Sequence, residues 1–157
     1  MFTEWPVAEL ELPMILTPDQ IATYARMGGW RDTVEVSPGV SEVACAVAIA
    51  MRESAGNPAA FNGNAETGDQ SYGLLQINLK DPNVKALMDE HGYGPTQLVD
   101  PLGNMKAGFL LYGGRVSNLN LAWYIARPGS VYQQRYQQYL PIAQLAALSS
   151  KPQSTEV

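Results

Sequence analysis

Val43-Ala-Cys-Ala-Val-Ala-Ile-Ala-Met51 is an apolar run of nine residues, followed by Arg52, Glu53 and then Ser-Ala-Gly-Asn-Pro58. A helix of that composition has no face to give to water, so the rest of the chain must be assembled around it. Ser41 stands where an N-cap belongs, and Gly56 with Pro58 ends the segment. Glu53 comes at the close of the run. Burial disfavours a charged carboxyl, and the negative end of a helix dipole acts in the same direction. A carboxylic acid held protonated can hand a proton to a leaving group. The competing reading makes Glu53 simply the first solvent-facing residue after a core segment.

At 157 residues, with 46% apolar and 16% charged residues, the chain fits one globular domain with a substantial core. No stretch is long enough to span a membrane, so membrane insertion is not expected. The start, Met-Phe-Thr-Glu-Trp-Pro, lacks the basic and apolar regions of a signal peptide. A substrate beyond a membrane would therefore require another route of delivery. The net charge of −5 argues against a nucleic-acid partner.

Cys45 is the only cysteine and lies inside the apolar run, where it reads as a small core residue. His91 is the only histidine, and with Val84, Leu87 and Met88 it completes one face of a short helix as a packed or rim residue. Neither zinc ligation nor a Ser-His-Asp mechanism is indicated. Asn62, Asn64, Glu66 and Gly68 are spaced somewhat like a calcium loop. The glycine is one place late and Gly73 stands where the last carboxylate belongs, so no metal and no cofactor is expected.

Residues 1–16 read as an extended N-terminal arm, 17–148 as the folded domain and 149–157 as a polar tail. Thr17-Pro18-Asp19-Gln20 is a capping box with proline at the first helical position, and its helix stops at Gly28-Gly29. Trp30 to Gly39 reads as a loop. Residues 57–71, rich in Asn, Gly, Thr, Asp and Ser, read as an ordered loop or turns. Leu74 to Asn78 fits either a strand or a helix start. Asp81-Pro82 opens a helix that Gly92 closes, and Asp100-Pro101 opens another that ends at Gly113-Gly114. A short helix is expected over 119–126. From Val131, Tyr132, Tyr136, Tyr139 and Leu140 recur at helical spacing, continued by 142–148 after Pro141. Tyr132, Tyr136 and Tyr139, and Trp123, read as packing residues. The class is mainly α, with about six short helices, a polar cleft loop and little or no sheet.

Three pieces follow in order: Glu53-Ser54-Ala55-Gly56-Asn57-Pro58, Gly73-Leu74-Leu75-Gln76-Ile77-Asn78 and Ala122-Trp123-Tyr124-Ile125-Ala126-Arg127-Pro128-Gly129. Together they resemble the "Glu-Ser, small loop, Asn-Pro", "Gly-Leu-Met-Gln" and "Ala-Tyr-Asn-Ala-Gly" elements of the lytic transglycosylase and goose-type lysozyme family. The segment Thr67-Gly68-Asp69-Gln70-Ser71-Tyr72 and the opening from Leu16 to Ala22 with Gly28-Gly29-Trp30 are similar to its bacteriophage-associated branch. The resemblance spans about residues 16–140 and implies a lysozyme-like fold. Ile125 stands where the family has Asn, and Arg127 where it has Gly. The later Glu-Thr-Arg-x-Tyr element has only a loose counterpart in Gln134-Arg135-Tyr136.

That resemblance implies a muramidase acting on peptidoglycan glycan strands, at the bond between N-acetylmuramic acid and N-acetylglucosamine. Glu53 would be the catalytic acid and then the base. Asn62, Gln76 and Tyr124 would contact substrate, although Gln76 equally suits bonding to loop backbone. A transglycosylase needs no second carboxylate, because the sugar's own groups complete the reaction. A true hydrolase would need one, and Asp69 or Glu66 are the candidates. The rival is a non-enzymatic wall-binding or virion module on the same fold. The phage-like segments imply a virion-associated or lysis-released protein, with other phage particle proteins as partners.

Overall fold

The computed structural model describes residues 14–152. The proposed arm and tail therefore fall largely outside the described residues. Helix α1 (Pro18–Met27) begins as its sequence demands: Thr17 Oγ1 accepts from Gln20 N–H, and Gln20 Oε1 accepts from Thr17 N–H. A small hairpin, β1 (Glu35–Ser37) with β2 (Val40–Ser41), lies within and just after the segment expected as loop. It leads directly into α2 (Glu42–Ser54), capped by the Ser41 hydroxyl on Ala44 N–H.

The apolar run forms the centre of α2. Val43 through Ala50 are all buried, and a side chain such as Val47 or Ile49 contributes about 1.5–3 kcal/mol by leaving water. α2 ends without glycine at its cap: Ala55 takes the left-handed conformation, φ 52°, and Gly56 follows at φ 85°.

The polar segment after α2 departs from the loop expected there. It folds into β3 (Phe61–Asn64) and β4 (Asp69–Tyr72), an antiparallel hairpin extended by β5 (Ile77–Asn78). Phe61 pairs with Tyr72, Asn62 with Ser71 and Tyr72 with Ile77. Between β4 and β5, Gly73 to Gln76 is a turn, neither strand nor helix. Gly73 is required there. A Cβ on it would sit 2.0 Å from the Leu98 carbonyl oxygen, and its φ is +77°.

Four helices follow before the last: α3 (Pro82–His91), α4 (Pro95–Leu98), α5 (Pro101–Tyr112) and α6 (Val116–Trp123). Asp81 and Asp100 cap α3 and α5, and Gly92 and Gly113 close them in the left-handed conformation. α6 starts and ends three residues before the stretch expected from sequence, closing at Tyr124. α7 (Val131–Ser149) is one helix that runs through Pro141. The described residues thus hold seven helices and two small sheets.

α7 packs along α2 in the opposite direction. Arg52 near the end of α2 bonds the Tyr132 carbonyl at the start of α7, and Gln144 further along bonds Gly39 just before α2. Trp30 stacks on Tyr112 at 5.3 Å and donates its indole N–H to Met105, fixing α5 against α1. At the far end of α7, Arg26 is ion-paired with Asp32 at 2.8 Å and donates to the Ser150 carbonyl. The Ser149 hydroxyl bonds the Asp19 carboxylate at 3.0 Å.

Candidate active site

The C-terminal end of α2, the three-stranded sheet, α6 and the start of α7 enclose a cleft of about 430 Å3. Glu53, Asn62, Asp69, Gln76 and Tyr124 all line it, brought together from four separate stretches of chain. Glu66 does not. It sits exposed in the β3–β4 turn, where its N–H donates to Asn64 Oδ1. Ile77, Val84, Leu111 and Leu121 add apolar surface to the polar walls.

Glu53 has a partner that the sequence reading did not weigh. Arg52 Nε and Nη2 both donate to Glu53 Oε2, at 2.9 and 2.6 Å. The carboxyl is therefore ion-paired and not isolated at the helix end, and its side chain is 21% exposed. Oε1 accepts no hydrogen bond from the described residues. Arg52 is itself 2% exposed, and a buried cation needs compensation. It receives that from Glu53, the Tyr132 carbonyl at 3.1 Å and the Tyr132 ring at 5.6 Å. Adjacency of an arginine to Glu53 at the close of an apolar run was the available signal.

Gln76 lies on the cleft wall in the left-handed conformation, φ 50°. Its amide nitrogen donates to the Ala60 and Gly73 carbonyls at 3.2 and 3.0 Å, tying α2's exit to the β4–β5 turn. Both donors are thus used on backbone, while the amide oxygen accepts from no described group. That turn is further held by two residues outside it. Trp123 is buried, as expected, and its indole N–H reaches the Leu75 carbonyl at 2.7 Å. Asn104 on α5 is fully buried: it accepts from Leu75 N–H and donates to the Tyr72 and Leu98 carbonyls. Nothing in the sequence singled out Asn104.

Tyr124 caps α6 with φ 54° and is 38% exposed to the cleft. Its ring lies 5.5 Å from the exposed ring of Tyr132. The two departures from the family's third element are accommodated: Ile125 packs into the core, and Asn120 Oδ1 accepts from Ala126 N–H to hold the backbone. Of the tyrosines expected to pack, Tyr136 is in the core and Tyr139 lies against it, whereas Tyr132 is exposed and lines the cleft; burial raises the Tyr136 phenol above the usual range.

Asp69 faces the cleft from β4 with both oxygens engaged. Oδ2 accepts from the Thr67 hydroxyl at 2.9 Å and Oδ1 from Asn78 at 3.2 Å, with Lys80 at 3.9 Å. The Thr67 and Asn78 hydrogen bonds, outweighing slight burial, hold its carboxyl below the ordinary value, helped by Lys80. Asn62 is exposed on β3 opposite Ser71, and both line the cleft. Cys45 is buried with its thiol pushed up to about 12 by desolvation, and His91 is exposed on the rim of α3. No group of three or more His, Cys, Asp or Glu residues that could hold a metal occurs among the described residues.

No helix among the described residues is long and apolar enough to cross a membrane. Neither the curated proteins nor the solved structures yielded a match to the chain. A family model described as a lysozyme-like domain matches residues 34–130, a span that includes α2, the sheet, the Gly73–Gln76 turn and Tyr124. That span is more than half of the chain and contains every residue placed in the cleft except Tyr132, so the protein belongs to the lysozyme-like domain family, whose substrate is the peptidoglycan of the cell wall.

Proposed function

We propose that the cleft cuts peptidoglycan glycan strands between N-acetylmuramic acid and N-acetylglucosamine as a lytic transglycosylase, with Glu53 as acid and then base. The observation that carries this reading is the asymmetry of the Glu53 carboxyl: Oε2 is clamped by Arg52 and Oε1 is left for a ligand. In the first step Oε1 gives its proton to the glycosidic oxygen as the bond from muramyl C1 breaks. In the second the muramyl C6 hydroxyl attacks C1, and its proton passes to the Glu53 carboxylate. The products are an anhydro-muramyl end and a free N-acetylglucosamine hydroxyl. Atoms and protons balance without water.

Gln76 oxygen, Asn62 and Tyr124 would hold the sugars along the cleft, and the exposed tyrosine ring suits a sugar face. A hydrolytic reading is supported by one observation, the presence of Asp69 on the same cleft. Against it, a general base works best with its pKa near the working pH, whereas the donors around Asp69 move its carboxyl below the ordinary value. Virion association and phage partners rest on the sequence resemblance alone; peptide mapping of purified particles is their test.

Mass spectrometry of fragments released from purified peptidoglycan separates the readings. Anhydro-muramyl ends are expected, and Glu53→Gln should lower the rate by about 10²–10⁴-fold, the usual worth of general acid–base catalysis. Reducing ends that vanish in Asp69→Asn would establish a hydrolase instead. Wall binding with no cleavage by the unaltered protein would leave only the non-enzymatic module.

A further inference from the structure

The main cleft sets Arg52 against Glu53, Asp69 and Asp81, whereas the cavity beside it carries an excess of positive charge. Among the described residues, Arg26, Arg31, Arg52, Lys80 and Lys85 each stand within 4.0 Å of a carboxylate. Among the same residues Lys106, Arg115, Arg127, Arg135 and Lys151 have no such partner, and of these Arg127 and Arg135 stand beside the tyrosine pair. Arg127 Cζ lies 5.5 Å from the centroid of the Tyr124 ring. Arg135 joins Arg52, Glu53, Val131 and Tyr132 in lining a side cavity of about 420 Å3. Arg52, Glu53 and Tyr132 line both this cavity and the main cleft, so the two adjoin at the candidate acid.

Two further features make the side cavity suited to an anion. Val131 and Tyr132 are the first two residues of α7, a helix with no acidic residue in its first turn. Its N-terminal N–H groups add partial positive charge. The one carboxyl that lines the cavity is Glu53, already matched by Arg52. In a chain of net charge −5 this is a local reversal of sign.

Resting on the muramidase reading, we propose that this side cavity receives the acidic substituent on O3 of the muramyl ring whose C1 is attacked. Arg135 is its cation, the one basic side chain of the cavity not already matched by a carboxylate. C3 and C1 belong to one ring, so a substituent on O3 of a sugar engaged by Glu53 lies within reach of the adjoining space. The shared chemistry is a carboxylate. It comes from the lactyl group itself where the strand is stripped of peptide, or from the stem peptide where it is not. Guanidinium–carboxylate pairing of this kind is directional and charge-assisted.

Three soluble substrates test the proposal: peptide-bearing strands, strands stripped by an amidase to the free lactyl carboxylate, and stripped strands whose carboxylate has been converted to a primary amide. Arg135→Gln should raise KM about tenfold on strands that carry the relevant carboxylate, with a smaller effect on kcat, and Arg135→Lys should recover most of the loss. The amide strands should be the least affected. A loss confined to stripped carboxylate strands assigns the lactyl group; a loss confined to peptide-bearing strands assigns the peptide; a loss on both assigns either carboxylate. The proposal fails if Arg135→Gln acts equally on all three substrates or on none. Failure of the unaltered protein to cleave any of them would instead overturn the muramidase reading beneath it.

Discussion

Glu42 and Glu53 stand at the two ends of α2, each held by an arginine, and they meet opposite fates. Glu42 is fully buried, accepting from Arg31 Nη2 at 2.7 Å and from the Tyr112 hydroxyl. Burial alone would raise its carboxyl, but the Arg31 and Tyr112 bonds outweigh it and hold the group below 4.5. The folded state thus binds this proton less readily than the unfolded state. Its stabilisation is complete above the ordinary carboxylate range and is lost as pH falls through the lower folded value. Glu42→Gln should cost about 2 kcal/mol at neutral pH, and the gap from the parent should narrow as pH falls below about 4. Urea unfolding at pH 7 and pH 3 measures both; a gap that stays constant would remove the charge from the explanation. Glu53 keeps an oxygen for the cleft because its arginine approaches from one side only. The place of Glu53 at the close of the core helix was legible from residue order. Its ion pair was not, because hydropathy says nothing of where a neighbouring guanidinium folds back.

At the scale of elements, the turn from Gly73 to Gln76 is positioned from α5 and α6 as much as from its own strands. Asn104→Ala would leave Leu75 N–H and the Tyr72 and Leu98 carbonyls without their buried partner. A loss of about 3 kcal/mol is expected, with a fall in kcat because Gln76 is carried on the same turn. Unfolding curves and steady-state rates on one preparation check it, and a loss under about 1 kcal/mol would show that the turn holds itself. Helix boundaries were readable where a cap and a stop announced them, as with Thr17 and Gly28, Asp81 and Gly92, and Asp100 and Gly113. They were misread where those signals are missing. Arg115 supplies no side-chain cap to α6, and Tyr124 closes it in a conformation usually left to glycine. The β3–β4 hairpin was hidden for another reason. Phe61-Asn-Gly-Asn and Asp-Gln-Ser-Tyr have no buried face, so neither strand carries the alternation by which strands are recognised. β3 pairs with β4 and β4 in turn with β5, a relation between segments and not a property of either.

Across the whole molecule, the buried α2 serves two ends of the fold differently. Its C-terminal end and the start of α7 form the cleft, while its N-terminal end and the close of α7 meet the first helix. The mainly α class and the enclosed core followed from one apolar run, because only a surrounding shell could satisfy it. The assembly of the cleft from four stretches could be foreseen only through motif resemblance. At the opposite pole, Ser149 is bonded to Asp19 and Ser150 to Arg26, so the close of α7 is fastened to α1. The 19-residue α7 puts that pole about 28 Å from the cleft. A fluorescent protein joined after residue 152 should leave turnover of soluble glycan fragments within about twofold, whereas the same cargo inserted at Thr67-Gly68, beside Asp69, should suppress it. Equal loss from both fusions would contradict the arrangement. Mechanically, the two described ends have separate handles: tension at residue 152 would load the Arg26 clasp, whereas tension at residue 14 would load the Leu16 N–H bond to the Gly56 carbonyl, three residues beyond Glu53.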